Sequence, residues 1–93
     1  MIKCIVEMFG LAREVSELPE IEIGLEKGAG LSDVVAALRR EIPALEGPVI
    51  RKGEDRLEDS VTFNIDGRFY HNDNGIELKD GDHLRLLTLA IGG

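Results

Sequence analysis

Cysteine and long apolar runs are scarce in this sequence of 93 residues. Its single cysteine, Cys4, excludes an internal disulfide, and one thiol is too few for an iron–sulfur cluster, which takes about four ligands. No apolar run reaches the roughly 20 residues that are needed to cross a bilayer. The opening MIKCIVEMFG indicates a strand and not a signal peptide. We therefore expect a cytoplasmic protein without a membrane segment.

Positive charge is also in short supply. Lys and Arg number 11 against 18 Asp and Glu, so the formal net charge is −7. A surface of this sign repels phosphate, which argues against nucleic acid and anionic membranes as partners. No residues have metal-ligand spacing, His71 and His83 included, so no metal site is predicted. Asp80 and Asp82 are too few for a calcium loop, and we interpret them as turn residues.

What the sequence does contain is a series of alternating apolar and polar residues, which predicts strands. The first strand includes Cys4, interpreted as a small core residue, with a sulfur-relay role as the alternative. Further strands are predicted at EIEIGL, from Val61 through Ile65, and over about 83–90. Asp66-Gly67 is a favoured two-residue hairpin turn, because both positions tolerate a positive φ.

One amphipathic helix is predicted over about 32–42. Ser32 is the expected N-cap, Asp33 lies near the positive end of the helix dipole, and Pro43 ends the helix. Its apolar stripe consists of Leu31, Val34, Val35, Leu38 and Ile42. Arg39 and Arg40 are interpreted as a solvated helix end.

Residues 43–60 are predicted to be mostly loop, because prolines and glycines punctuate them and a charged run follows. Val49 and Ile50 are candidates for a short strand. The acidic residues of 54–59 are interpreted as loop surface, with steering onto a basic partner as the alternative.

A single helix has one apolar face, and a mixed sheet of about four to five strands can cover it. The first and last strands are the most apolar, so they are predicted to lie side by side in the centre. We expect one α+β domain over residues 1–93, with a flexible Gly-Gly tail at about 89–93.

Glycine is a poor residue with which to end a strand, because it packs no side chain, yet the chain finishes on Gly92-Gly93. With that ending, the sequence resembles the ubiquitin-like sulfur carriers MoaD and ThiS, which implies a β-grasp fold. The motifs that carry the resemblance are Phe9-Gly10, the helix ending at Pro43, Asn64-Ile65-Asp66-Gly67, Leu78-Lys79-Asp80-Gly81-Asp82 and Gly92-Gly93.

The branch of the family stays open. MoaD chains carry a Pro-Pro pair before the tail, whereas this chain has Leu87-Thr88-Leu89-Ala90-Ile91, closer to ThiS. The segment 43–60 is in turn nearer to MoaD than to the shorter ThiS chains.

The resemblance implies a carrier and not a catalyst. The Gly93 carboxylate would be adenylated by a ubiquitin-activating-type adenylyltransferase, similar to MoeB or ThiF, which uses the ATP. The carrier itself would keep no permanent cofactor. Sulfur would then convert the terminus to a thiocarboxylate for molybdopterin synthesis, together with a large synthase subunit similar to MoaE. Gly92 and Gly93 suit this role, because a chain without Cβ atoms can enter a narrow channel.

Three alternatives follow from the same residues. The sulfur acceptor could be the thiazole of thiamine or a cysteine precursor. The activated Gly93 could be joined to lysines of target proteins, which would make the chain a protein modifier. The domain could also be a binding module in which the terminus plays no part.

A docking surface is predicted on the sheet face that the helix leaves open, because apolar residues exposed there would mark an interaction site. The sequence leaves open which alternate set of residues points outward. Our prediction for this surface consists of Phe63, Leu84, Leu86, Leu89, Ala90 and Ile91.

Overall fold

The structure is a computed structural model that describes residues 1–71 and 75–89. Within these residues it contains five strands, two α-helices and one 3₁₀ turn, Pro43–Leu45. In chain order the α-helices and strands are β1 (Ile2–Met8), α1 (Leu11–Ser16), β2 (Glu20–Leu25), α2 (Leu31–Glu41), β3 (Val61–Ile65), β4 (Arg68–Tyr70) and β5 (His83–Thr88).

The strands form one mixed sheet in the order β2-β1-β5-β3-β4. β1 and β5 are parallel neighbours at its centre, with Ile5 opposite His83 and Met8 opposite Leu86. The other three neighbouring pairs are antiparallel. The predicted α+β β-grasp arrangement, with the first and last strands side by side, is therefore confirmed.

The core lies between the sheet and α2. Every second residue of β1, starting from Cys4, is buried, because successive side chains of a strand point to opposite faces. The buried residues of α2 repeat every three or four positions, so that one helix face covers the sheet. These α2 residues are Leu31, Val34, Val35, Ala37 and Leu38.

The helix α2 begins one residue earlier than predicted, and Ser32 is not its N-cap. Gly30 holds that position with an extended backbone, and its N–H donates to Oδ2 of Asp33 at 2.9 Å. A carboxylate in the first turn also suits the positive end of the helix. The boundary shifts because Leu31 already packs in the core, at 2% exposure.

The segment between α2 and β3 is irregular, as predicted, but it is not merely surface. Its apolar residues Leu45, Val49, Ile50 and Leu57 are all at most 1% exposed. Val49 and Ile50 do not form a strand; only isolated bridges join Ile50 to Glu46 and to Leu57. A small second layer of core therefore extends under this segment.

Arg39 fixes this segment to α2. Its guanidinium lies 2.6 Å from Oδ1 of Asp55 and donates to the carbonyl of Glu54 at 2.7 Å. Arg51 similarly pairs with Asp59 at 2.6 Å. Arg40 is exposed, as predicted for a solvated helix end, but Arg39 is not merely solvated, because it binds a loop 15 residues further along the chain.

Candidate functional site

The reactive terminus predicted from the sequence, Gly92 and Gly93, lies outside the described residues, as do Ala90 and Ile91. What the structure describes is the place where the chain leaves β5, at Thr88 and Leu89. The site is therefore built from this exit and from the surface beside it.

The exit is held from both sides. On one side, the N–H of Phe9 donates to the carbonyl of Leu86 at 3.0 Å, and the N–H of Leu11 donates to Oγ1 of Thr88 at 3.3 Å. On the other side, the N–H of Leu89 donates to the carbonyl of Ser60 at 2.7 Å. The backbone is thus bonded to neighbouring segments up to the last residue that the structure describes.

Three residues predicted for the docking surface are instead in the core. Leu84 and Leu86 are fully buried, and Phe63 is 1% exposed. Phe63 lies opposite Leu86 in the β3–β5 pair, so both point toward α2. This part of the prediction is wrong, because it chose the alternate set of β5 that faces the helix. The polar residues His83 and Arg85, which alternate with these leucines, were the signal for the correct face.

The outer face of the sheet instead carries Ile5, Phe69, Leu87 and Leu89, which we call the outer apolar set. Phe69 is 61% exposed and Leu89 is 44% exposed, whereas Ile5 and Leu87 are half-buried. Leu89 was predicted and is accessible. The other three were not part of the predicted surface. Leu87 was left out in favour of its neighbour Leu86, and a shift of one residue exchanges the two faces of a strand.

Charged groups accompany the outer apolar set. The register places Glu7 opposite Arg85 on one side and opposite Glu20 on the other. Glu7 is in close contact with Nε2 of His83, and its Oε1 lies 3.9 Å from Nε of Arg85. The face therefore changes from acidic at β2 to basic at Arg85 of β5 and apolar at Phe69 of β4.

The Asp-Gly-Asp turn is structural. Oδ1 of Asp80 accepts the N–H of Lys3 at 2.8 Å, and Oδ2 of Asp82 accepts the N–H of Lys79 at 2.8 Å. Gly81 adopts a φ of 89°, and its N–H donates to the carbonyl of Lys3 at 2.7 Å. Both carboxylates thus serve the turn that aligns the start of β5 with β1, which confirms their interpretation as turn residues.

Cys4 is fully buried in the core, as predicted. Its Sγ lies 3.7 Å from the carbonyl oxygen of Lys79. Burial raises the pKa of the thiol above its ordinary value of 9.0, and the nearby carboxylates of Asp82 and Asp80 raise it further. A thiol that is inaccessible and held protonated is a poor nucleophile, so this conformation does not favour a sulfur relay.

The histidines have separate structural partners. His71 Nδ1 lies 2.8 Å from the carbonyl oxygen of Val61, and His83 pairs with Glu7 on the outer face. Within residues 1–71 and 75–89, no group of three or more His, Cys, Asp or Glu side chains could hold a metal ion. None of the helices in this part of the chain has both the length and the apolar character to span a membrane.

Comparison with known proteins places this geometry in context. The model of the ThiS family matches residues 6–93. The solution structure of small archaeal modifier protein 1 (SAMP1) from Methanosarcina acetivorans is similar, with 29% identity and a TM-score of 0.77, over 100% of this chain and 98% of that one. A protein described as molybdopterin converting factor, subunit 1, from Pyrococcus furiosus has 26% identity and a TM-score of 0.77, over 97% and 100% of the two chains.

The crystal structure of SAMP1 from Haloferax volcanii has a TM-score of 0.82 over 98% of this chain and 99% of that one. Its identity of 24% makes it a comparison of fold alone. Among curated protein sequences, none matches significantly.

Proposed function

Because the chain belongs to the ThiS family, we propose that it is a sulfur carrier whose terminal carboxylate, on Gly93, is converted to a thiocarboxylate. The observation that carries the proposal is the extent of the family match, which runs to Gly93 and so includes the Gly-Gly pair. Small carriers of this type are not catalytic themselves. The chemistry belongs to the partner, and this chain presents the reacting group.

The proposed chemistry follows from the weakness of a carboxylate as an electrophile. The Gly93 carboxylate attacks ATP on an adenylyltransferase, which forms the acyl-adenylate and releases pyrophosphate. The terminal sulfur of a persulfide donor then attacks the carbonyl carbon, and AMP leaves with the electron pair of the C–O bond, which gives an acyl disulfide. A second thiol attacks the donor sulfur of this disulfide, forms a disulfide with the donor and releases the thiocarboxylate with the electron pair of the broken S–S bond. ATP is thus a substrate of the partner, and its supply fits a cytoplasmic site of action.

Sulfur donation to molybdopterin synthesis is the proposed pathway. Its support is the resemblance to the Pyrococcus furiosus protein, whose description names molybdopterin conversion. In that role the chain would bind a large synthase subunit that accepts the sulfur. Thiazole synthesis and cysteine synthesis are alternative acceptors within the same carrier chemistry.

We propose that the adenylyltransferase binds the outer apolar set. Exposed Phe69 and Leu89 supply apolar surface on the same face as Ile5 and Leu87. Such exposed apolar groups surrounded by charges are typical of interaction sites. A partner bound there would sit beside the exit at Leu89, from which the terminus continues.

A second candidate function is protein modification, in which the activated Gly93 forms isopeptide bonds with target lysines. The similarity to SAMP1 from Methanosarcina acetivorans, at 29% identity over the whole chain, favours it. Both functions share the adenylation step and differ in the nucleophile that follows, which is sulfur in one case and a lysine amine in the other.

Intact mass spectrometry of the untagged protein, purified from its own cells without strong reductant, tests the proposal. The expected result is a fraction heavier by the difference between one sulfur and one oxygen, mapped to the peptide that ends at Gly93. A Gly93→Ala chain is the matched control and should fold normally without acquiring this mass. Isopeptides of Gly93 without any thiocarboxylate would favour the modifier. Normal thiocarboxylate formation on the Gly93→Ala chain would contradict the proposed chemistry.

A further inference from the structure

At the end of β5, a side chain holds the strand to the start of α1, in addition to the hydrogen bonds between strands. Oγ1 of Thr88 accepts the N–H of Leu11, the first residue of α1, at 3.3 Å. One residue later, the N–H of Leu89 donates to the carbonyl of Ser60 at 2.7 Å. Two segments that are distant in sequence therefore meet at the point where the chain leaves the sheet.

Gly10 allows this close approach. It has φ 56° and ψ −130°, a combination that is open essentially to glycine. A Cβ built on Gly10 would lie 3.3 Å from Oγ1 of Thr88 and 3.6 Å from its Cβ. The turn from β1 into α1 is thus shaped around the Thr88 side chain, and another residue at position 10 would both be strained and press on that hydroxyl.

Thr88 also lies on a different face from the surface proposed for docking. It shares its alternate set with Leu84 and Leu86, which face the core, whereas Leu87 and Leu89 belong to the outward set. Removal of the Thr88 hydroxyl therefore leaves Ile5, Phe69 and Leu87 of the outer apolar set in place. This separation allows the position of the exit to be tested independently of partner docking.

We propose that Thr88 is a positioning residue, and that its hydroxyl, together with the backbones of Gly10, Leu11 and Ser60, forms an exit clamp. The clamp fixes the position of Leu89, and Gly93 lies four residues further along the sequence. At about 3.3–3.6 Å per residue, four residues can reach at most on the order of 14 Å. The inference rests on the proposed function, because it assigns the reach of Gly93 to a bound partner.

The physical reason is that a short segment places its terminal carboxylate most reliably when the start of the segment is held in one position. The effective concentration of the terminal carboxylate at the partner's site depends on tether length and on how firmly its start is held. A loosened start lengthens the free tether and spreads its end over more positions, which lowers the fraction in reacting geometry.

Amide hydrogen exchange of the full chain tests whether the clamp exists, without any partner. Thr88→Val removes the acceptor while keeping the branched shape, and Thr88→Ser keeps the hydroxyl as the matched control. We expect protection of the Leu11 and Leu89 amides to fall about fivefold in the valine chain, the factor of one ordinary hydrogen bond, and to stay near wild type in the serine chain. Unchanged protection in the valine chain overturns the clamp.

ATP–pyrophosphate exchange tests what the clamp does. The probe is the adenylyltransferase purified from the source cells by its exchange activity with the wild-type chain. We expect Thr88→Val to lower kcat about three- to tenfold at unchanged KM for the carrier, with Thr88→Ser close to wild type. A rise in KM alone, or equal losses in the valine and serine chains, overturns a positioning role for the hydroxyl.

A second variant keeps the proposal testable if the valine chain misfolds. One glycine inserted between Leu89 and Ala90 leaves every clamp contact in place but lengthens the tether, and it should lower kcat at unchanged KM. An unchanged kcat overturns the fixed reach. If the wild-type chain supports no exchange with ATP and a cell extract, the proposed function fails, and the positioning role with it. Amide protection at Leu89 distinguishes the two failures, because a fall in protection in the valine chain shows that the clamp exists even when the proposed function fails.

Discussion

The two faces of the sheet are made by the same strands, one residue apart, and they have opposite physical characters. On the inner face, Leu84 and Leu86 are fully buried against the core. On the outer face, Leu87 is half-buried and Phe69 is 61% exposed among charged neighbours. The inner set therefore contributes stability, whereas apolar groups of the outer set add little to folding and remain available to a partner.

The sharpest test of this difference compares two adjacent leucines. Leu86→Ala should lower the free energy of unfolding by about 2–5 kcal/mol, because it removes a fully buried side chain and leaves a cavity. Leu87→Ala, the matched control next to it, should cost less than about 1.5 kcal/mol. Urea unfolding of both chains measures the two values. Equal losses would contradict the register that separates the faces.

The same comparison marks what the sequence predicts and what it does not. Local alternation is enough to predict β1, β2 and β3, and Asp66-Gly67 adopts the predicted positive φ angles of 51° and 83°. Burial between distant segments is not local. Leu45 and Leu57 are buried by packing that no sequence period encodes, so their burial was not predicted, although residues 43–60 are irregular as expected.

The docking surface shows how far the candidate site can be predicted from the sequence. A strand pattern gives two alternate sets, but only the position of the helix decides which one is covered. His83 and Arg85 indicate which alternate set of β5 faces outward. A prediction that placed these polar residues on the outer face would have placed Leu87 there with them. The exit at Thr88 was not predictable, because Gly10 and Leu11 reach it from the other end of the chain.

A smaller effect is expected at Phe69 on the outer face. Phe69→Ala should weaken binding of the adenylyltransferase about tenfold, because it removes exposed apolar contact area, while changing the free energy of unfolding by less than ~0.5 kcal/mol. Titration calorimetry and urea unfolding give the two values. Phe69→Leu, which keeps an apolar side chain, should retain most of the affinity. Weaker folding with unchanged binding would reverse the roles of the faces.

Cys4 on the inner face should also make the free energy of unfolding depend modestly on pH. The pKa of Cys4 is raised in the fold, so the unfolded chain ionises first as the pH rises above 9.0. The unfolded state then binds fewer protons than the folded state, and stability falls with rising pH by at most about 1.4 kcal/mol per pH unit. Unfolding of wild type and Cys4→Ala between pH 8 and 10.5 isolates this slope as their difference. No difference would mean that the thiol ionises alike in both states.

The smallest effect is expected for an ion pair on the outer face. Nζ of Lys3 lies 3.8 Å from Oε1 of Glu22, and the two side chains are 72% and 60% exposed. An exposed pair of this kind is well screened, so Lys3→Gln should change the free energy of unfolding by no more than ~0.5 kcal/mol. Glu22→Gln is its control, and thermal unfolding at low and high salt is a sufficient measurement. A loss above 1 kcal/mol would show that this face also contributes to folding.

The pairing of β1 with β5 also has a consequence for biosynthesis. Ile5 lies opposite His83, so the central pair of the sheet joins residues from the two ends of the described chain. Contacts of such long sequence separation form slowly, since a large loop must close before they contribute. A nascent chain that still lacks β5 leaves an edge of β1 unpaired and β3 without its inner neighbour. Ribosome-bound fragments should therefore stay unfolded until residues 83–88 have emerged, so the domain folds only after its last described strand has left the ribosome.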